Sequence, residues 1–484
     1  MYSKTLILSV VLASAGCAAD VAFPDITNGQ GEIAGEATTT SIILQSRLTV
    51  GTELVDGDLP GAGGSARFEV ATTPEFSDSF ESDWMTARPD SDFIVKTKID
   101  GLSPGTRYYY RLIYGPDQDL LRTGPTRTFA TLAGAEAATE VDFVVVTGMR
   151  YSAFQNSYEG PDKDLGYPAL ATILDLAPDF FVATGDNVYY DVPFQAAAKT
   201  PAELRKKWHE QFVQPRFAAL FAEVPTYWEK DDHDSRYNDS DNTGDTEPSP
   251  ELGTAIFLEQ VPVADPATPD PVTYRTHRIN KDLQIWLTEG RDYRSPNMMP
   301  NDALKTLWGA EQISWLRRTL RESDATFKIL ISPTPMIGPD DAEQAGRPAE
   351  GHDSLKRDNH ADPAGFRHER DQFFGWLTNN GFLVDQNFFI ICGDRHWQYH
   401  SIDPSGFEEF STGALVDGNS RLGRSPGDPE STDPEGLIEQ PYTQTEASGG
   451  FLHVTITPGE RPTATMRFHD ERGVLLHTVV KVAR

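Results

Sequence analysis

The chain has 484 residues, 38% hydrophobic and 10% aromatic, enough to bury a sizeable core, and at about 100–200 residues per domain it should hold about two or three domains. Its 42 Lys+Arg against 73 Asp+Glu give a formal charge of −31, which speaks against a nucleic-acid-binding surface or electrostatic attachment to anionic lipid but leaves phosphorylated substrates open, because bound metal ions reverse a local field. The two cysteines, Cys17 and Cys392, exclude a disulfide framework and a Cys-rich zinc site.

Residues 1–17 have one lysine, a short apolar run from Thr5 and small residues before Cys17, the pattern of an export signal. Cys17 directly after Ala15-Gly16 is similar to a bacterial lipoprotein signal, with Ser14 where such signals usually carry Leu. The expectation is an exported protein: periplasmic, a cell-surface or outer-membrane lipoprotein lipidated at Cys17, or plainly secreted.

Residues 30–132 follow as a small all-β region. Ser41–Val50, Ala66–Ala71 and Phe93–Ile99 are short β-branched runs separated by Gly/Pro/Asp clusters, as in a sandwich. Gly101-Leu-Ser-Pro-Gly-Thr leads into a strand whose Tyr108 and Tyr110 share a face, resembling a fibronectin type III domain. With no titratable cluster, this region reads as a structural or spacing module. Thr131–Thr139 reads as a linker.

From residue 140 to 484 the pattern changes. Apolar strands at Val141–Thr147, Asp179–Thr184, Leu283–Leu287, Phe327–Ser332 and Asn387–Cys392 alternate with helical segments at Tyr167–Leu176, Ala310–Arg321 and Arg367–Thr378. The tail returns to strands at Phe451–Thr457, Thr463–Phe468 and Val474–Val482. This predicts an α/β fold, two sheets flanked by helices. Stretches 238–272 and 338–365 read as long polar loops, which are often functional.

Four polar clusters stand just after apolar strands, where ligands bind in α/β sheets. In Thr184-Gly-Asp-Asn-Val-Tyr-Tyr-Asp191, Gly185 permits a tight exit, and Asp186 is placed either to bridge two metal ions or to cap a turn. Asp231-Asp-His-Asp234 packs three carboxylates around an imidazole, costly unless cations neutralise them and suited to Zn, Mn, Fe or Ca. In Gly393-Asp-Arg-His396, Asp394 and His396 alternate as metal ligands do, and Arg395 faces a phosphate or turns away. In Glu289-Gly-Arg-Asp-Tyr-Arg294, Arg291 and Arg294 either pair with phosphate or hold the acidic loops together. A calcium loop from Asp239 fails at its twelfth position, Pro250.

In order, these segments resemble the alkaline phosphatase D (PhoD-like) branch of the calcineurin-type metallophosphoesterases. Leu307-Trp-Gly-Ala-Glu-Gln312 and Gly365-Phe-Arg-His-Glu-Arg370 resemble it too. The resemblance implies an α/β metallophosphoesterase sandwich after an all-β fibronectin-like sandwich. It implies an enzyme hydrolysing phosphate monoesters or diesters with two or more metal ions and an activated water. On that likeness Asp186 bridges the metals, Tyr189 and His396 serve the first, and Asp232 and Asp394 serve the second. His233 acts at the leaving oxygen, with Arg291 and Arg395 as further catalytic candidates. The chain departs from the pattern at Gly148, which stands where the family carries a Cys ligand, and at Glu289, which replaces an Asp. The metal identity (Ca, Zn, Mn or Fe) is left open by Gly148.

A purple-acid-type phosphatase would need Gly-Asn-His-Glu and Gly-His-x-His, and neither occurs. The remaining alternative is a weak or inactive metallophosphoesterase fold serving as a surface binding protein, which Gly148 favours. Oligomeric state is not readable from the sequence.

Overall fold

The structure is a computed structural model that describes residues 26–344, 353–382 and 387–484. The export segment and Cys17 lie outside the described residues.

Two sheets face each other. The first runs Leu475–Val482, Thr463–Asp470, Gly450–Thr457, Val141–Val146, Phe180–Thr184, Thr226–Glu229, Glu32–Gly35, Ser41–Arg47 and Ile94–Asp100 in spatial order. The second runs Arg275–Arg278, Leu283–Leu287, Phe327–Ser332, Phe388–Cys392, Glu408–Thr412, Gln398–Ile402 and Glu439–Thr443. The apolar strands pair in parallel: Val141–Val146 with Phe180–Thr184 and then Thr226–Glu229 in one sheet, Leu283–Leu287 with Phe327–Ser332 and Phe388–Cys392 in the other.

Side-chain alternation explains the layers. Phe143, Val145, Phe180 and Val182 point inward against Ile285, Ile329, Ile331, Phe389 and Ile391 of the facing sheet. Val144, Val146, Phe181 and Trp228 point outward under the helices Pro168–Leu176, Pro201–Phe212 and Pro215–Phe221. On the far side Trp286, Leu330 and Ile390 lie under the helices Gly309–Glu322 and Arg367–Asn379. Strands buried on both faces read as unbroken apolar runs, which is why the sequence marks them clearly.

Two expectations change. The stretch 238–272 contains the helix Pro250–Gln260, opened by Ser249, whose side chain accepts from the Leu252 N–H. The N-terminal strands are not a free-standing module. Gly64–Ala71, Arg107–Gly115 and Arg127–Ala130 belong to a separate sheet, but Glu32–Gly35, Ser41–Arg47 and Ile94–Asp100 extend the first of the two facing sheets through the pair Thr226–Gly35. Tyr108 and Tyr110 do share a buried face, packed on Phe129. The segment 131–139 is pinned as well: the Asn280 side-chain amide donates to Thr139 O and the Lys281 N–H to Ala137 O.

Candidate metal centre

The carboxyl ends of the parallel strands of both sheets converge on one rim. Bare backbone lets them meet: a Cβ on Gly393 would lie 2.4 Å from Thr184 O and 2.8 Å from Pro333 O. A Cβ on Gly185 would lie 2.5 Å from Asp231 Cβ. Each glycine is followed by an aspartate in the left-handed region, Asp186 at φ 55° and Asp394 at φ 60°. Non-glycine residues held there cost about 1–3 kcal/mol and cluster at functional sites.

Asp186, Tyr189 and His396 form a tight group. The Tyr189 hydroxyl donates to Asp186 Oδ2 at 2.8 Å and lies 3.2 Å from His396 Nε2, which is 3.3 Å from Asp186 Oδ2. Asp186, Asp232 and His233 bring ligand atoms within 4.8 Å of one another, as do Asp232, Asp239 and Asp358. Asp394 lines the same cavity as Asp186, His233, Asp239 and His396, a space of about 560 Å³. His233 is steered by Asp191, whose Oδ1 lies 2.7 Å from Nδ1, and its ring centroid lies 4.2 Å from that of Tyr189 at a 32° tilt.

The electrostatics are those of crowded, buried carboxyls. Burial pushes Asp186 up to about 7, opposed by the His233 imidazolium and assisted by Asp232. Burial likewise lifts Asp394 to about 6 against the pull of Arg395, and Asp239 to about 8. Burial, with Arg421 nearby, holds His396 down to about 4, so it is a neutral imidazole ready to donate a lone pair. Burial works against the His233 cation, yet Asp232, Asp186 and Asp191 outweigh it and hold its pKa well above the usual value. Asp186 Oδ1 is buried with no hydrogen-bond partner. An orphaned carboxylate oxygen among like charges is what a cation relieves, so the donor set fits divalent metal ions.

Two candidate residues take other places. Arg291 is buried, with Nε donating to Asp231 at 2.7 Å and Nη1 and Nη2 to Asp358 at 2.8 and 2.7 Å. Arg294 joins it on Asp358 at 3.0 Å. Of the two roles open to Arg291, phosphate contact therefore gives way to holding the acidic loops together. Arg395 does line the cavity, with Nη1 donating to Asp340 at 2.7 Å. Gly148, at φ 66°, has no room for a side chain: a Cβ would lie 2.8 Å from Ala414. Beside it, the Asn419 amide donates to Gly148 O at 3.1 Å and to the Tyr189 hydroxyl at 2.8 Å.

Sequence reasoning did not single out Asn419, Asp340 or Asp358. Asp340 and Asp358 fall inside the flagged stretch 338–365, which was a usable signal, whereas Asn419 has no motif around it.

A two-sheet sandwich with carboxylates and imidazoles at its parallel strand ends defines a metallophosphoesterase-type fold. The model of the PhoD-like phosphatase family matches residues 143–461, and that of the PhoD-like phosphatase N-terminal domain matches residues 16–130. The chain belongs to the PhoD-like phosphatase family and is by class a metal-dependent phosphoester hydrolase. Among solved structures it is similar to PhoD, at 19% identity over 94% of this chain and 89% of that one, TM-score 0.70. It also resembles the purple acid phosphatase PPD1 from yellow lupin (Lupinus luteus) seeds, at 11% identity over 94% and 74% of the two chains, TM-score 0.56. No curated protein matches the sequence.

Proposed function

We propose that this protein is an exported phosphoesterase that hydrolyses phosphate monoesters, diesters or both. The observation that carries the proposal is the convergence of Asp186, Tyr189, Asp232, His233, Asp394 and His396 around one cavity. Asp186, Tyr189 and His396 would hold one cation, and Asp232 and Asp394, with Asp186 shared, a second. When bound, two divalent cations polarise the phosphoryl group and lower the pKa of water enough to make it a nucleophile near neutral pH. Carboxylate, phenol and imidazole donors without a thiolate suit Mn, Zn, Ca or Fe.

The chain's own residues do the rest. Asp191 fixes the His233 ring through Nδ1, which leaves Nε2 to give a proton to the departing oxygen. The hydrogen bond from Tyr189 and the left-handed backbone hold Asp186 in one orientation, so little reorganisation is needed when charge builds up. Export is supported by the lysine, apolar run and small residues before Cys17, and Cys17 would carry a lipid anchor.

The test is hydrolysis of p-nitrophenyl phosphate and bis-p-nitrophenyl phosphate, with and without chelator, alongside metal analysis of the purified protein. Turnover should vanish with chelator and return with an added divalent ion. Asp186→Asn should abolish activity by more than about 100-fold, the scale of a lost electrostatic catalytic group, while far-UV circular dichroism stays native. Full activity in that variant would refute the site. Gly148 favours a second reading, a surface binding protein on a metallophosphoesterase fold. Absence of turnover with Mn, Zn, Ca and Fe alike would support it.

A further inference from the structure

The cavity has a second wall of opposite sign. Asp340 is fully buried and accepts from Arg395 Nη1 at 2.7 Å, from Arg421 Nη1 and Nη2 at 2.8 and 2.7 Å, and from Lys356 Nζ at 2.7 Å. These cations come from three separate segments, and all three line the cavity that holds Asp186, Asp394 and His396. Arg395 Nη1 also reaches Asp394 Oδ2 at 3.4 Å, so three cations stand against two carboxylates and one positive charge is left over. A purely structural bridge needs one partner for Asp340, since uncompensated charge near the interior is costly.

The cluster is built rather than incidental. Backbone bonds lock Asp340 to Thr432 and Lys356 to Ala342, and the Arg421 N–H donates to His396 O at 3.1 Å. Arg421 also lies 4.4 Å over the Trp397 ring. The neighbouring acid Asp341 is already met by Arg424 Nε at 2.6 Å. Lys356 and Arg421 keep 18% and 39% of their side chains accessible. Among the described residues Asp340 is the one hydrogen-bond acceptor of Lys356 Nζ, and an ammonium carries three N–H groups. Arg395 is the more buried and adds charge from beneath.

We propose that the cavity takes phosphate esters bearing a second phosphoryl group, held by Lys356 and Arg421. This rests on the phosphoesterase reading above. The scissile group belongs against Asp186, Asp232 and His233, while Lys356 and Arg421 line the same cavity on their shared partner Asp340. A phosphomonoester carries about −1.5 to −2 charge at neutral pH, and the partly accessible Lys356 and Arg421 supply N–H donors of the sign it needs.

The metal-loaded, full-length protein should be assayed for inorganic phosphate release from fructose 1,6-bisphosphate and fructose 6-phosphate, with p-nitrophenyl phosphate as reference. The bisphosphate should win by about tenfold or more in kcat/KM, the size of one charge-assisted contact and above the statistical factor of about two. Lys356→Gln and Arg421→Gln should each cut that ratio at least about threefold, chiefly through KM. A wild-type ratio near about two, or a ratio that neither variant changes, overturns this inference while p-nitrophenyl phosphate turnover keeps the phosphoesterase reading alive. No release from any of the three substrates, together with no turnover of bis-p-nitrophenyl phosphate, removes both readings together.

Discussion

The residues that crowd the cavity define how the metal-free protein should respond to pH. Asp186 sits at about 7 in the fold against an ordinary value of 3.8, and Asp394 at about 6, each raised chiefly by burial. A carboxyl whose folded pKa lies above its unfolded value keeps its full contribution below about 3.8 and loses it as pH rises through about 7. Chelated protein should therefore become less stable between pH 4 and pH 7, by a total of a few kcal/mol (order of magnitude) if both groups ionise. Divalent ions bind the ionised form, so their stabilisation should grow over the same range. Thermal unfolding with and without chelator at pH 5 and pH 8 checks this: the gap in Tm must be larger at pH 8. Asp186, Asp394 and His396 were legible because strand-end chemistry is local, a Gly-Asp step directly after an apolar run. Asn419 was not, because its bond to Tyr189 spans 230 positions and no nearby residue advertises it. Arg291 illustrates a third case: its motif was visible, but whether a guanidinium faces substrate or a buried carboxylate depends on where Asp358 folds.

At the scale of elements, strands were easier to read than helices. Leu283–Leu287 and Phe327–Ser332 fall on their apolar runs residue for residue, since burial on both faces leaves no ambiguity of period. The helix Pro201–Phe212 carries its own local sign, the Thr200…Glu203 capping box with Pro201 at its first position. The helix Pro250–Gln260 was masked by the acidic, proline-rich sequence before it, and its stability comes partly from far away. Lys96, on the strand Ile94–Asp100, donates from Nζ to Leu258 O at 2.7 Å, Glu259 O at 3.0 Å and Val261 O at 2.7 Å. An ammonium has three N–H groups for three carbonyls, and a cation at a helix C-terminus opposes the negative end of the helix dipole. Lys96→Met keeps the length and apolar stem but removes all three donors. It should cost about 2–3 kcal/mol, the penalty for leaving buried acceptors unpaired next to a lost charge. Urea unfolding would show this as a lower midpoint, and an unchanged midpoint would mean that water replaces the ammonium without loss.

Over the whole molecule, the sequence divides into two regimes near residue 131, and nothing in it announces that the two share a sheet. One pair, Thr226 beside Gly35, makes the junction, too little to leave a pattern. Side chains then weld it. The Thr226 hydroxyl donates to Ala34 O at 3.0 Å and the Tyr227 hydroxyl to Ala37 O at 2.7 Å. Arg275 clasps Glu36 with Nε at 2.8 Å. His209 lies 2.6 Å from both Asp58 and Asp92. Burial opposes the Asp92 charge, but His209 and Arg47 overcome it and bring its pKa down to about 2. A depressed carboxyl contributes stability above about 3.8 that is lost as pH falls through about 2, here about 2 kcal/mol. Asn tolerates the left-handed φ of 49° at this position, so Asp92→Asn removes the charge and one acceptor without straining the backbone. Because the core runs unbroken from Ala34, Leu44 and Tyr110 to Phe143, Val182 and Ile329, both regions should unfold in one transition, and Asp92→Asn should lower that transition as a whole at neutral pH. By the same argument, residues 134–484 alone would bare the edge of Thr226–Glu229 and one end of the shared core, and an exposed apolar edge strand invites aggregation. That fragment should fail to fold as a soluble monomer. A fragment that elutes as a folded monomer in size-exclusion chromatography and turns over p-nitrophenyl phosphate would show that the N-terminal strands merely lean on the catalytic sandwich instead of completing it.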